Sequence, residues 1–413
     1  KNLVNTTFRG EFMIKKLLTA DIPKFISIVS NAYPSMDAHK PEIRDIYMKK
    51  FEEICKHAKE VKVYGCYREK ELLGGMLIYD YKMNYYNHMI DVCGLGTVAT
   101  DFIHKKEHVA KELVSYFIDY GKKNKKDFLL LYPFNVMFYS KFGFCPGEKM
   151  DLYRVKPAHF SILKSKGIMR YLEEPDTEDI VKFYNSFSQK VHGMILKTEM
   201  EKKAFFRNPE IRTVGFYDSE KNLCGYVRFS FRKENAGNWL KNSLVIREMI
   251  YSDTACLKSI FSFFASQKDQ IEFVEFTTVD RDIWRLFEDI YYPGEVIIPS
   301  VYHNSNIQGV GLMYRVCSIE SVLKKLPAPS DFCIEFIVHD PLSGKDEHFT
   351  LGSNKKKVSV SMDLGSFSSW SIGSISLEKL VYLGKAFITD SCALKELNAV
   401  FSFLKPPYCT TSF

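Results

Sequence analysis

A tyrosine follows a short apolar stretch in the sequence LLLYPFNVMFYSKFGFCPG, residues 129–147. The pattern predicts a buried strand over residues 129–132, ended by Pro133, with Tyr139 in a turn that Gly143 closes. Open α/β sheets bind ligands beyond the carboxyl ends of their strands. Tyr139 is therefore a candidate donor of a proton or hydrogen bond to a reacting group, and simple packing of its ring is the alternative.

A basic segment, VATDFIHKKEHVAKEL, occupies residues 98–113. A strand is predicted to end near Thr100 and a helix to begin near His108. The first N–H groups of a helix have no partner within it and carry about half a positive charge, so they bind phosphate groups. Lys105 and Lys106 would strengthen such a site, which favours a small polyphosphate ligand. A solvated basic turn is the alternative.

The same segment contains a His-x-x-Glu-His pattern, which also occurs in zinc peptidases. On a helix, His104 and His108 could hold zinc, with Glu107 as the base. However, His104 and Lys105 are predicted to precede the helix, the neighbouring lysines oppose a cation, and no third ligand is obvious. A zinc peptidase is therefore the less favoured interpretation, and no metal site is predicted.

Two parts of the chain are similar to each other. GCYREKELLGGMLIYDYK, from Gly65, aligns with GFYDSEKNLCGYVRFSFR, from Gly215, and each predicts two strands joined by a polar turn. In both, a third strand, an amphipathic helix and a further strand follow. The repeat predicts two copies of one α/β domain, at residues 13–152 and 153–300. The second copy has SDTACLKSI where the first has its basic loop, so it is predicted to keep the scaffold without the ligand site.

The last part of the chain, residues 301–413, has a different pattern. FCIEFIVHD, HFTLG, KVSVSMD and SSWSIGS alternate apolar and polar residues and predict an antiparallel sheet with one face in water. SISLEKLVYLGKA and SCALKELNAVFSF predict helices. The sequence KPPYCTTSF follows, stiffened by two prolines and finished by an aromatic residue, which indicates a tail that binds at a defined place.

Composition limits the class of protein. The chain has 413 residues, 46% of them hydrophobic, and a net charge of +7, which suits two or three domains with cores of their own. A single basic patch argues against a nucleic-acid partner, and no apolar run reaches the roughly 18 residues of a membrane helix. Ten cysteines without a Cys-x-x-Cys pair favour reduced thiols in a cytoplasm. Because a strand is predicted from Met13, residues 1–12 are expected to take no part in the fold.

The order of basic loop, helix, strand and Tyr-x-x-x-Gly-Phe resembles a GNAT acetyltransferase, whose acetyl-CoA loop reads Arg/Gln-x-x-Gly-x-Gly/Ala. Here the loop is Lys105-Lys106-Glu107-His108-Val109-Ala110. His108 replaces the central glycine, which predicts a less close approach of the backbone to the pyrophosphate.

The plan of the whole chain resembles the enhanced intracellular survival (Eis) family. The shared features are an intact acetyltransferase unit, a degenerate copy, a sterol-carrier-like domain and a terminal aromatic residue. Members are bacterial N-acetyltransferases that acetylate aminoglycosides and lysine side chains. The resemblance implies an α/β fold with mixed sheets, in which tandem GNAT domains precede a sterol-carrier-like α/β domain.

The resemblance also implies roles for individual residues. The third strand binds the acetyl and pantetheine part of acetyl-CoA through Val98, Ala99 and Thr100. The loop and helix bind the pyrophosphate through Lys105, Lys106, Glu107, His108, Val109, Ala110 and Lys111, and Phe134 and Asn135 add contacts. Tyr139 is the catalytic acid, and the terminal carboxylate of Phe413 is the base.

The acceptor and the assembly are implied in the same way. Aminoglycoside-like compounds, polyamines or lysine side chains are the implied acceptors, and a homohexamer is the implied assembly. A carboxylate often precedes the last residue in relatives and helps to bind polycations. Here Ser412 takes that position, so tight aminoglycoside binding is not implied.

Ordinary pKa values limit what the two catalytic groups can do. A phenol with a pKa of about 10 is a weak acid toward a thiol of about 8.5, but it is a good hydrogen-bond donor to a developing thiolate. A carboxylate of pKa about 3.5 would take a proton from an alkylammonium of about 10 at a cost of roughly 9 kcal/mol. Phe413 is therefore expected to act by position and charge, with water relaying the proton from a neutral amine.

A different class of function treats the last domain as a lipid- or sterol-binding module beside vestigial acetyltransferase units. The first copy keeps its basic loop, whereas the second copy, which is predicted to have lost its ligand site, no longer has this loop. The sequence therefore favours the enzyme.

Overall fold

The computed structural model describes residues 7–9, 11–161, 167–290, 303–353 and 356–413. The chain divides into two compact units. The first unit comprises residues 1–147, 192–195 and 312–413, and the second comprises residues 148–191 and 196–311. In the described part of the chain, no helix is long and apolar enough to cross a membrane.

The first unit opens with a sheet and four helices. The strands are β1 (Thr7–Arg9), β2 (Phe12–Lys16), β3 (Val61–Arg68), β4 (Glu71–Tyr85), β5 (His88–Thr100), β6 (Phe128–Leu131) and β7 (Cys145–Pro146). The helices are α1 (Ile22–Ala32), α2 (Pro41–His57), α3 (Val109–Lys123) and α4 (Val136–Ser140). β1 pairs antiparallel with β2, so the expectation that residues 1–12 take no part in the fold is wrong.

Apolar residues at helical spacing hold α3 against the sheet. Val109, Leu113, Val114 and Phe117 are all buried and share one core with Leu129 of β6. Burial of an apolar side chain of this size stabilises the fold by about 1.5–3 kcal/mol. The packing fixes the amino terminus of α3, which follows β5 after a short 3-10 turn.

Strands β5 and β6 are parallel and separate partway along their length. Their pairing runs from Val92 and Phe128 to Leu95 and Leu131. β6 ends there, whereas β5 continues to Thr100. The opening beyond the end of β6 is the kind of place where α/β sheets bind ligands.

The second unit repeats this arrangement. Its strands are β8 (Lys149–Val155), β9 (Ile168–Tyr171), β10 (Arg212–Tyr217), β11 (Leu223–Lys233), β12 (Asn242–Tyr251), β13 (Ile271–Thr278) and β14 (Ile307–Val310). Its helices are α5 (Thr177–Ser188), α6 (Glu199–Lys203) and α7 (Thr254–Ala265). The strand order β9-β10-β11-β12-β13 matches β2-β3-β4-β5-β6, and β12 and β13 are parallel like β5 and β6.

The two sheets exchange a strand. β15 (Met313–Val316) lies between β6 and β7 in the first sheet, although residues 196–311 just before it belong to the second unit. In the second sheet, the place beside β13 is taken by β8, which directly follows the first copy in the sequence. Each sheet is thus completed by a strand that the order of the sequence would assign to the other sheet.

The rest of the first unit is a smaller sheet with helices. Its strands are β16 (Cys333–Asp340), β17 (Lys345–Leu351), β18 (Lys357–Asp363) and β19 (Ala386–Ile388), in the order β17-β16-β18-β19. Its helices are α8 (Ile319–Leu323), α9 (Leu364–Ser371), α10 (Leu377–Tyr382) and α11 (Ala393–Val400). The sheet is mixed rather than antiparallel, because β16 and β18 are parallel.

The strand predicted for SSWSIGS is wrong, because residues 368–371 are the end of helix α9 and residues 372–374 form the turn that follows it. Asp363 caps α9 by accepting a hydrogen bond from the N–H of Ser366 at 2.9 Å. Phe367 and Trp370, three residues apart on one face, are buried against Phe336, with ring centres 5.6 and 5.1 Å away. The likeness of this region to sterol carrier proteins stays a prediction.

Candidate active site

A cavity of about 580 Å³ opens beside the end of β5, the amino terminus of α3 and helix α4. Nine predicted cofactor-binding residues line it: Val98, Thr100, Lys105, Lys106, His108, Val109, Ala110, Lys111 and Phe134. Four residues that the sequence did not mark as cofactor contacts line it as well: Ala32, Tyr33, His104 and Phe138. Sites for small organic ligands usually measure about 300–1,000 Å³, so the cavity has a suitable size.

Three predicted residues lie outside the lining of this cavity. Ala99 is buried and pairs with Gly75 of β4. Asn135 caps α4, and its side-chain oxygen accepts a hydrogen bond from the N–H of Phe138 at 3.0 Å. Glu107 is bound to other side chains. The roles of all twelve predicted residues in cofactor binding stay predictions.

The amino terminus of α3 is not capped by a side chain. His108 is the residue before the helix, has a φ of 65° and makes no side-chain cap hydrogen bond. Lys106 has a φ of 71°. Both are in the left-handed region that glycine adopts freely and that costs other residues about 1–2 kcal/mol. His108 thus takes the backbone conformation that a glycine would take, and the first-turn N–H groups keep their affinity for an anion.

The charges around this terminus are mostly positive. Lys105, Lys106 and Lys111 line the cavity. Glu107 binds Arg68 at 2.8 Å and His104 at 3.3 Å, and these neighbours, Arg68 first, lower its pKa. Its negative charge is therefore partnered by these two side chains. In the described part of the chain, no group of three or more His, Cys, Asp or Glu side chains is placed to hold a metal ion.

A bulge distorts β5 where it borders the cavity. Gly75 pairs with Ala99 and Leu77 pairs with Gly96, so two β5 residues lie opposite one residue of β4. One of the two, Thr97, has a φ of 50°. The other is Val98, whose carbonyl oxygen accepts a hydrogen bond from the Tyr33 hydroxyl at 2.7 Å. Tyr33, at the end of α1, therefore fixes the strand at the point where the cavity begins.

Tyr139 lies on α4 and is 2% exposed. The ring is enclosed by Phe134, Phe138 and Phe144, whose centres lie 5.3, 5.0 and 6.2 Å away. Burial, with a further contribution from nearby Tyr33, raises the pKa of Tyr139 well above its usual value. The hydroxyl therefore keeps its proton at neutral pH and can only act as a hydrogen-bond donor or a weak acid.

The exchanged strand β15 supports the turn after Tyr139. Gly143 has a φ of +80° and closes this turn, as the sequence predicts. Arg315 of β15 donates a hydrogen bond from Nε to the carbonyl oxygen of Phe142 at 2.7 Å. The same guanidinium is buried against Asp340 of β16, with N–O distances of 3.3 Å. A buried, fully partnered arginine is a rigid support, so the position of α4 depends on β15 and β16.

The carboxyl-terminal residue lies on β5. A Cβ atom added to Gly94 would come within 2.7 Å of the Phe413 ring, and one added to Gly96 within 2.9 Å of the Phe413 carboxyl carbon. Glycine at these two positions lets the tail approach the strand closely. Gly96 is two residues before Val98, a spacing of at most about 7 Å along a strand. The main-chain carbonyl group of Phe413 is thus next to the part of β5 that borders the cavity.

Three tyrosines surround the ring of Phe413. The ring centres of Tyr79, Tyr81 and Tyr132 lie 5.7, 5.6 and 5.5 Å from it. The Tyr132 hydroxyl also donates a hydrogen bond to the carbonyl oxygen of Thr411 at 2.9 Å. The tail is therefore bound at a defined place, and its last ring is an anchor.

Two parts of the chain match known protein families. Residues 13–147 and residues 193–300 each match a family described as an acetyltransferase (GNAT) domain. The two matches together cover more than half of the chain, and the chain belongs to the GNAT acetyltransferases. The prediction of tandem GNAT domains is confirmed. No curated protein sequence matches the chain.

Solved structures share this fold. A GCN5-related N-acetyltransferase from Anabaena variabilis has a TM-score of 0.77 at 16% identity, covering 97% of this chain and 100% of that one. A probable N-acyltransferase from Enterococcus faecalis has a TM-score of 0.76 at 15% identity, covering 99% and 100%. Eis1 from Mycobacterium abscessus has a TM-score of 0.67 at 14% identity, covering 85% and 90%. The protein is an acetyltransferase with an Eis-like GNAT fold.

Proposed function

We propose that this acetyltransferase moves the acetyl group of acetyl-CoA onto the amine of an aminoglycoside-like compound, a polyamine or a lysine side chain, with Tyr139 and Phe413 as its catalytic groups. The observation that carries the proposal is the arrangement along β5. The uncapped terminus of α3 lines the cavity together with Val98 and Thr100 of β5, and Phe413 lies against Gly94 and Gly96 of the same strand.

The residues of the cavity fit the phosphate groups of acetyl-CoA. The first turn of α3 offers backbone N–H groups and a partial positive charge, and Lys105, Lys106 and Lys111 add full charges. Glu107, which would repel a phosphate, is paired with Arg68. The bulge at Thr97 and Val98 opens the strand on which the acetyl and pantetheine part would lie.

The transfer forms a C–N bond and breaks the C–S bond of the thioester. The Tyr139 hydroxyl donates a hydrogen bond, and then its proton, to the departing sulfur. Its raised pKa keeps it protonated until that moment. The proton lost from the amine passes through water beside the Phe413 carboxylate to the Tyr139 phenolate, so that both catalytic groups return to their starting states.

Mass spectrometry of acetylation across polyamines, aminoglycosides and lysine peptides tests the activity. Tyr139→Phe should lower kcat by about 100-fold or more, the range expected for loss of a general acid, while the Kd for acetyl-CoA stays constant. Tyr67→Phe is the control, because it removes another buried phenol of the first unit, one that donates to Asp21 and is not part of the cavity lining. Wild-type turnover by Tyr139→Phe would remove Tyr139 from the mechanism.

Residues added after Phe413 test the second group. An appended Gly-Ser pair moves the carboxylate away from Gly96 and should abolish turnover, while acetyl-CoA still binds. Normal turnover by the extended protein would show that the carboxylate has no part in the reaction. The homohexamer and the cytoplasmic location are further proposals that rest on the family resemblance, and native mass spectrometry tests the first of them.

A further inference from the structure

A short segment, His192–Ile195, belongs to the first unit although the sequence on both sides of it belongs to the second. It pairs with the outer edge of β4 near the β4–β5 turn. The N–H of Asn84 donates to the carbonyl of Met194 at 2.9 Å, and the N–H of Gly193 donates to the carbonyl of Asn84 at 2.8 Å. Ile195 forms an antiparallel bridge with Met83. The segment is therefore fixed to the strand that pairs with β5.

The other side of this segment holds the carboxyl-terminal tail. The N–H of Tyr408 donates to the carbonyl of His192 at 2.9 Å. Gly193 has a φ of +88°, and a Cβ atom added there would lie 2.6 Å from the Cβ of Pro407 and 2.8 Å from the Tyr408 nitrogen. The Thr410 hydroxyl is 4.0 Å from the sulfur of Met194. Gly193 is thus required both by its backbone conformation and by the closeness of the tail.

The ring of His192 fixes the segment from the first unit's interior. It stacks on Tyr86 with ring centres 3.8 Å apart. Its Nδ1 accepts the N–H of Tyr86 at 3.3 Å, so its Nε2 carries the proton and donates to the carbonyl of Ile372 at 3.0 Å. Burial lowers the pKa of His192 to about 4, and the ring stays neutral at neutral pH. Tyr86 in turn donates from its hydroxyl to the carbonyl of Lys405, at the start of the tail.

We propose that His192–Ile195 is a clamp that positions the tail, so that the carboxylate of Phe413 stands at Gly96. Gly193 is then a positioning residue, which acts on the reaction only through the tail. The clamp explains how a tail of nine residues keeps one orientation: it is held at its start by Tyr86, in its middle by Gly193 and at its end by Tyr132. The consequence for turnover rests on the proposed role of Phe413.

Gly193→Ala in the full chain tests the clamp. The added methyl group must displace Pro407 and Tyr408. We expect hydrogen exchange in the peptide 405–413 to quicken by about tenfold or more, because the tail opens locally. We also expect kcat to fall by about 100-fold, the loss that a displacement of roughly 1 Å can cause, with an unchanged Kd for acetyl-CoA.

Gly344→Ala is the matched control. Gly344 has a φ of +66°, but a Cβ atom there would meet nothing within 4 Å. The control therefore carries the backbone strain of the test variant without its contact with the tail, and should keep wild-type turnover and exchange. If Gly193→Ala lowers the Tm of the whole protein, a double variant that also carries Pro407→Gly is made. Because this change removes the atom nearest to the methyl group, it should restore part of the Tm.

The outcomes separate the clamp from the proposed catalytic role. Unchanged exchange of the tail in Gly193→Ala, or a loss of Tm that Pro407→Gly does not reduce, overturns the clamp. Faster exchange with wild-type turnover supports the clamp and removes Phe413 from the reaction. Faster exchange with low kcat supports both.

Discussion

The amino termini of α3 and α7 occupy the same place in the two copies and differ in one respect. Before α7, the Asp253 carboxylate accepts the N–H of Cys256 at 2.9 Å and caps the helix. Before α3, His108 makes no such bond. A capping carboxylate satisfies the N–H groups and puts a negative charge where a phosphate would bind. The cap is therefore one feature that sets the second copy apart from the anion site proposed in the first.

The strands that precede these helices differ as well. β5 carries Gly94 and Gly96, which leave room for Phe413. β12 carries Glu248, which is buried and bound to Lys197 at 2.8 Å and to the Tyr226 hydroxyl at 2.7 Å. Burial would raise the pKa of Glu248, but the Lys197 ammonium outweighs it and the pKa is lowered. In the second copy, a buried ion pair lies on the strand that corresponds to the one carrying Gly94 and Gly96 against Phe413 in the first copy.

The largest effect is expected from breaking this ion pair. Lys197→Met removes the cation that binds the buried Glu248 and leaves it only the influence of Arg228, so it should lower the free energy of unfolding by about 3 kcal/mol. Urea unfolding measures the loss. Adding Glu248→Gln should restore part of it, because the buried carboxylate charge is then removed and Tyr226 keeps an acceptor. If Lys197→Met alone is as stable as the wild type, the ion pair does not contribute to the stability of the fold.

Acid should weaken the first unit through His192. The pKa of His192 is about 4 in the folded protein and 6.5 in the unfolded chain, so the unfolded chain binds a proton at a higher pH than the folded protein does. Stability should fall as the pH drops from 6.5 to 4, by at most about 3 kcal/mol, and this contribution should be constant above pH 6.5. His192→Asn should be less stable but should lose this part of the pH slope. An equal slope in both proteins would contradict the assignment.

A negative charge at the amino terminus of α3 should make this terminus resemble that of α7, which is capped by a carboxylate. His108→Asp is expected to weaken acetyl-CoA binding by about tenfold, since a charge near a helix terminus contributes about 1 kcal/mol or more. His108→Asn is the isosteric control and tolerates the left-handed conformation, so its Kd should change little. Isothermal titration calorimetry measures both. Equal affinities would show that the terminus of α3 does not bind the phosphates.

The smallest effect is expected at α7. Asp253→Ala removes the cap and should cost about 1 kcal/mol of stability. It should not create a second acetyl-CoA site, because β12 still carries Glu248 and the loop has no lysine cluster. The stoichiometry of binding should stay the same as in the wild type. A second binding event would mean that the cap alone separates the two copies.

Local signals predicted much of the candidate site. The end of β5, the basic loop, the start of α3 and the turn at Gly143 all follow from composition and spacing over a few residues. The glycines of GCYREK and GFYDSE likewise indicated the repeat. The failure at SSWSIGS has a local cause: its serines imitate the alternation of a strand, but Asp363 caps a helix at that point.

Contacts between distant residues could not be predicted in this way. The hydrogen bond from Tyr33 to Val98 and the contact of Gly193 with Pro407 join residues far apart in the sequence. Gly94-Leu-Gly96 was the available signal for the tail, because glycines inside a strand often mark a close approach of another backbone. No pattern within β15 indicates which sheet it joins.

The exchange of β8 and β15 has a consequence for synthesis in the cell. A ribosome makes residues 7–147 first, but the sheet that carries β5 lacks a strand until residues 313–316 have been made. Until then, an edge of β6 is unpaired and Arg315 is absent from the turn after Tyr139. Exposed strand edges favour aggregation during folding. While more than 150 further residues are made, the edge of β6 in the nascent chain therefore lacks the strand that covers it in the folded protein.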